Sequence, residues 1–168
     1  MASINFVPSA DASVVSELSR QVLKRILGDA GLGSCTITST VRTPKRQANA
    51  MYNNIEATSI EKQLGLYAEP GRKVIREYQR LKPLGHGRLA ILAAMEDKID
   101  MLGPGTVSRH CADPSELNVI DIAPSSIASP SRFLAALTQA EQRGEVSRFF
   151  SPAQGDPAFH VEIPQPRP

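Results

Sequence analysis

A chain of 168 residues is the size of one domain. It has 41% hydrophobic and 21% charged residues, and 19 Lys+Arg against 17 Asp+Glu leave a net charge of only +2, which argues against binding nucleic acid or a membrane surface through bulk charge. Two cysteines exclude a disulfide scaffold, 5% aromatics without tryptophan imply an aliphatic core, and no apolar run reaches the roughly 18 residues of a membrane span.

Residues 1–11 read as an irregular lead-in without the basic start or apolar stretch of a Sec signal. From Asp11 to Gly31, Val14, Val15, Leu18, Val22, Leu23, Ile26 and Leu27 recur at helical spacing, so an amphipathic helix capped by Asp11 or Ser13 is expected. Ser34 to Thr40 is short and rich in β-branched residues, which predicts a strand with Cys35, Ile37 and Ser39 on one face. Thr43-Pro44 opens a second helix with Ala48, Met51, Tyr52 and Ile55 as its apolar stripe. Thr58 and Glu61 form a capping-box signature for a short helix to about Tyr67. Pro70 starts a helix that turns Val74, Ile75, Tyr78 and Leu81 inward. Beyond the Lys82-Pro83-Leu84-Gly85 turn, a helix over roughly 87–102 is expected to bury Leu89, Leu92, Ile99 and Leu102 before Gly103-Pro104-Gly105 stops it.

Asn118 to Ala123 (NVIDIA) predicts a strand, and Ser129-Pro130 opens a helix that ends at Gly144. Val146 to Phe150 and Ala158 to Ile163 predict two further strands around a Gly155-Asp156-Pro157 turn, and residues 164–168 read as a frayed proline-rich tail. The order predicts an α+β fold, a small, mainly antiparallel sheet flanked by helices, as a single domain over residues 12–163.

His86, in a Gly-His-Gly turn, reads as an exposed loop residue; His110 and His160 differ because each lies near carboxylates at a strand edge. On the last strand a period of two puts His160 and Glu162 on one face and the apolar Phe159, Val161 and Ile163 on the other. Asp121 likewise stands opposite Ile120 and Ile122, and a carboxylate in the middle of an apolar strand is costly to bury without a partner charge or a metal. Two imidazoles and a carboxylate suffice for a catalytic zinc that keeps its fourth position open. Such a centre also needs a general base, for which Asp156 and Glu162 are candidates, and a cation for the developing oxyanion, for which Arg42 is placed just after a strand.

Three segments then carry a resemblance. Thr38-Ser39-Thr40-Val41-Arg42-Thr43-Pro44 through Gln47, Ser108-Arg109-His110 through Asp121-Ile122, and Phe159-His160-Val161-Glu162 resemble, in order, the three motifs of the zinc D-alanyl-D-alanine peptidase family. That family includes muramoyl-pentapeptide carboxypeptidases, vancomycin-resistance dipeptidases and phage L-alanyl-D-glutamate endolysins, and it has a hedgehog-type fold. The resemblance implies one zinc ion held by His110, Asp121 and His160. It also implies that Arg42 holds the substrate carbonyl or carboxylate, that Gln47 and Ser108 support the site, and that an acid ahead of the last histidine is the general base. The first histidine and the aspartate are further apart than in the family, with a loop insertion at residues 111–117; Asp113 is the weaker substitute for Asp121. The family's base position falls on Pro157, which leaves Asp156 as the base and Glu162 as second choice.

The activity implied is zinc-dependent hydrolysis of peptide bonds in bacterial peptidoglycan stem peptides or cross-links. The alternatives are a catalytically inactive relative that binds wall peptides or a partner protein, and a helical adaptor working through Arg72, Lys73, Arg76, Arg80, Lys82 and Arg88, a cluster that otherwise reads as a solvated helix face. Synthesis in the cytoplasm, followed by action in the periplasm or wall after lysis or dedicated secretion, with an immunity or delivery protein as partner, completes the expectation. Cys111, next to His110, reads as a free thiol, because sequence neighbours in extended chain point to opposite faces and make a poor Cys–His dyad.

Overall fold

The computed structural model describes residues 1–166; of the tail expected at 164–168, Arg167 and Pro168 lie outside the described residues. The fold is α+β, with a five-stranded sheet and seven α-helices among the described residues. The chain forms two compact units, one from Met1–Val41 together with the chain from Asp113 onward, the other from Arg42–Ala112. No helix among the described residues is long and apolar enough to cross a membrane.

The first unit contains the sheet: β1 (Ser3–Phe6), β2 (Ser34–Ser39), β3 (Leu117–Ile122), β4 (Arg148–Phe150) and β5 (Phe159–Pro164), in the order β1-β2-β3-β5-β4. The sheet is mixed rather than mainly antiparallel. β1, in the segment expected to be an irregular lead-in, pairs in parallel with β2, and the other three pairings are antiparallel. Parallel neighbours need a crossover connection, which α1 (Glu17–Asp29) supplies. Helix α1 begins later than its apolar spacing suggests. Asp11 caps a separate 3-10 turn at Ala12–Val14, and Ser16 caps α1 by accepting the Ser19 N–H.

One sheet face carries Cys35, Ile37, Ile120, Ile122, Phe159, Val161 and Ile163. Against it pack Val22, Leu23, Ile26 and Leu27 of α1 and Phe133, Ala136, Leu137 and Ala140 of α7 (Pro130–Gln142). Phe133 meets Phe159 edge to face at 5.0 Å between ring centres. On the other face of β3 and β5, Asp121, His160 and Glu162 are buried. The tail also departs from expectation at Gln165, whose N–H donates to Glu116 O and whose side chain donates to Ser19 Oγ and Ile163 O.

The second unit is helical: α2 (Pro44–Ala57), α3 (Ile60–Leu66), α4 (Glu69–Leu81), α5 (Arg88–Leu102) and α6 (Pro104–Val107). Thr43 caps α2 with Pro44 at its first position, whereas the cap of α3 is Ser59 rather than Thr58, which closes α2 instead. The core holds Met51, Tyr52, Ile55, Val74, Ile75 and Tyr78, with Ile91, Met95 and Ile99 from α5. The buried stripe of α5 is therefore rotated from the expected one, and Leu89 is 83% exposed. Gly103, at φ +91°, ends α5 in a backbone state that side-chain-bearing residues disfavour, and Pro104 at once starts α6. The basic cluster is answered by acids, Arg76 pairing with Glu69, Arg80 with Glu77 and Lys82 with Glu56. That pattern is a solvated helix face.

Two substitutions test these contacts. Asn118 is buried on β3; its Oδ1 accepts the Ser16 N–H at 2.9 Å, and its Nδ2 donates to Val14 O and Pro114 O. Losing three buried bonds in Asn118→Ala should cost about 2–4 kcal/mol in denaturant unfolding, well above the ~1 kcal/mol of an ordinary cap lost in Ser16→Ala. Gly71 in α4 would by helix propensity gain from alanine, but a Cβ there would lie 2.8 Å from Cβ and Cγ of Tyr67. Because those atoms sit close to the Tyr67 backbone, Gly71→Ala should lower stability by about 1–3 kcal/mol, measured the same way.

Candidate metal site

β3 and β5 pair so that Asp121 stands directly opposite His160 and Val119 opposite Glu162. Directly opposed residues on one sheet face have Cβ atoms about 4.5–5.5 Å apart, within reach of short polar side chains. His160 Nδ1 lies 3.1 Å from Asp121 Oδ1, and His160 Nε2 lies 3.2 Å from Glu162 Oε1. All three are nearly shut off from solvent, at 8% exposure for Asp121, 7% for His160 and 1% for Glu162. On its other side β5 pairs with β4, which brings the Phe150 ring to 5.7 Å from the imidazole centre. β2 meets β3 through an irregular register between Ile37 and Ser39, and Thr38 Oγ1 donates to Asp121 O.

Burial pushes the His160 pKa down, but hydrogen bonds and charge from Asp121 and Glu162 outweigh it and raise the imidazole to about 9. Without a metal, the ring is thus an imidazolium shared by two carboxylates near neutral pH.

His110 lies on the 3-10 turn Arg109–Cys111, nearly buried, and its carbonyl accepts the Arg42 N–H at 2.6 Å. Ser108 shapes this turn through its backbone, its N–H donating to Pro104 O and its carbonyl accepting the Cys111 N–H. His110, Asp121 and His160 are metal-ligating side chains that could together hold a metal ion. Two imidazoles and one carboxylate suit a cation that accepts nitrogen, whereas magnesium and calcium sites are built from oxygen.

The other expected residues divide. Glu162 is beside His160, as described. Arg42 Nη1 donates to Gln47 Oε1 at 3.4 Å, and the fully buried Gln47 side chain also interacts with the Tyr67 phenol. Asp156 is outside the three-residue group, and its Oδ1 accepts the Ala158 N–H at 2.9 Å in the turn before β5. Asp113 is exposed, and its carboxylate accepts the Ser115 N–H and hydroxyl, which hold it below the usual carboxylate range. The carboxylate of the ligand group is therefore Asp121.

Burial pushes the Cys111 thiol up to about 11 against the opposing charge of Arg42, so the thiol is protonated and poorly nucleophilic. Cys35, in the sheet core, is raised to about 11 by burial alone. Tyr67 went unnoticed in the sequence. Burial raises its phenol pKa, and the Arg42 guanidinium is close enough to act against that shift. The available signal was Gly71, a glycine inside a helix whose bare backbone seats the Tyr67 ring.

The raised pKa of His160 has a defined sign in stability. Its contribution to the metal-free protein is full below about 6.5, the unfolded value, and is lost as pH rises through about 9. Denaturant titrations with chelator present should show the advantage of wild type over His160→Gln shrinking across that window. An advantage that grows with pH would contradict the bracketed imidazolium. Compared with what is known, the chain matches no protein-family model, no curated protein and no solved structure.

Proposed function

We propose that this protein is a zinc-dependent peptidase that hydrolyses peptide bonds in bacterial peptidoglycan stem peptides or cross-links, on a hedgehog/D-alanyl-D-alanine-peptidase-like fold. The observation that carries the reading is the buried pair of Asp121 and His160, opposed on neighbouring strands with imidazole Nδ1 3.1 Å from the carboxylate, to which His110 would add a second imidazole. Its support is chemical: a buried carboxylate and two imidazoles are a poor arrangement for stability alone and a good donor set for zinc. Zinc, when bound, supplies Lewis-acid polarisation of a carbonyl and acidifies water to a pKa near 7.

The chain's own groups do the rest. His110, Asp121 and His160 hold the cation. The Arg42 guanidinium takes the negative charge that develops on the scissile carbonyl oxygen, where a fixed cation is worth most. Gln47 supports the site by accepting from the Arg42 guanidinium. Asp156 Oδ1 is committed to the Ala158 N–H, and its second oxygen, Oδ2, accepts the proton of the attacking water and returns it to the leaving amine. Action on the wall after lysis or dedicated secretion, with an immunity or delivery protein as partner, belongs to the same reading.

A second reading, an inactive relative that binds wall peptides, is favoured by the engagement of both candidate bases, Glu162 with His160 and Asp156 with the backbone. Elemental analysis and mass spectrometry of digested muropeptides separate the two. Wild type should carry one zinc per chain and cleave, and His110→Ala and His160→Ala should each lose both properties. Zinc that stays stoichiometric in both variants would overturn the ligand assignment, and zinc without cleavage in wild type would select the binding protein. Because His160 is protonated up to about pH 9, zinc uptake at neutral pH should also release a proton, measurable in weakly buffered solution.

A further inference from the structure

His160 is bracketed on both sides. The alternation of β5 puts Glu162 two residues along on the same face, and the antiparallel register with β3 puts Asp121 directly across. Nδ1 therefore faces one carboxylate at 3.1 Å and Nε2 faces another at 3.2 Å. An imidazole that binds a metal uses the lone pair of one nitrogen and carries its hydrogen on the other. Which nitrogen does which is set by these two neighbours.

Asp121 belongs to the ligand group and Glu162 does not. Nδ1 is the nitrogen that faces the proposed ligand carboxylate, at 3.1 Å from Asp121 Oδ1. Nε2, on the far side of the ring, then keeps its hydrogen, and a ring with 7% exposure has little water to give it to. Glu162 Oε1 is the acceptor in place.

Burial makes this more than proximity. Glu162 is 1% exposed, with Val119 across from it on β3 and Arg148 on β4, and its buried carboxylate has the imidazole at hydrogen-bond distance.

We propose that Glu162 is a positioning residue of the metal centre: its carboxylate takes the Nε2–H of His160, fixes the ring, and leaves Nδ1 as the nitrogen that binds the metal. This rests on the metal-centre reading above. It removes Glu162 from the candidate general bases, since its oxygen is occupied by the imidazole. Outer carboxylates of this kind orient a ligating imidazole and raise its basicity, and their loss weakens metal binding about tenfold to a hundredfold.

The test uses the full chain loaded with zinc and two readouts other than activity. In wild type, nitrogen-15 NMR of histidine-labelled protein should show the His160 proton on Nε2 and the metal-type shift on Nδ1. Zinc affinity by chelator competition should fall about tenfold to a hundredfold in Glu162→Leu, and less in Glu162→Gln, which keeps an acceptor oxygen. Wild-type affinity in both variants, or metal on Nε2 in wild type, overturns the role of Glu162 and leaves the metal centre standing. Failure of wild type to bind zinc overturns the metal centre itself, and this inference with it. The wild-type spectrum decides the nitrogen even if Glu162→Leu does not fold.

Discussion

The antiparallel register that sets Asp121 against His160 is the constraint on which the rest depends. A slip of one residue between β3 and β5 would turn Asp121 into the helix-covered core and Ile120 or Ile122 out of it. What prevents the slip is apolar. Ile120 and Ile122 on β3, and Phe159, Val161 and Ile163 on β5, fit only one way against α1 and α7. The hydrophobic face thus aligns the polar one, and the facing of Asp121 and His160 is a by-product of core packing.

The polar face is held by mutual need. Three ionisable groups lie together almost without solvent, and each would be costly alone. In the metal-free protein a proton on His160 joins the two carboxylates, and a divalent ion replaces that proton in the proposed function. An all-apolar replacement of similar volume would typically be as stable or more so.

The helical unit has its own logic. Arg42 comes shortly after the β2 strand and donates its N–H to the carbonyl of His110, so the backbone of the turn carrying this proposed ligand is tied to the proposed oxyanion residue. Gln47 one helical turn later receives the Arg42 guanidinium, and Gly71 gives room for the ring of Tyr67. Cys111 sits among these groups as a neutral thiol, which turns the local chemistry away from nucleophilic sulfur.

Much of this was legible from residue types alone. Thr43-Pro44 and Ser129-Pro130 opened helices because a proline at the first helical position is preorganised whatever surrounds it. The alternation of β5 marked His160 and Glu162 as sharing a face because the period of a strand is local. Other features were not. β1 is four residues long, too short for a pattern, and exists because β2 offers it an edge. The buried stripe of α5 was misread because its apolar residues surround much of the helix, and only its neighbours α2 and α4 select Ile91, Met95 and Ile99. Local chemistry thus determined which side chains were available, and on which face of which element. That Asp121 rather than Asp113 stands opposite His160, that Phe150 closes on the ring, and which nitrogen faces which carboxylate were decided by strand order and register. These are contacts across 39 residues of sequence in the case of Asp121 and His160, and they form only when the core is packed.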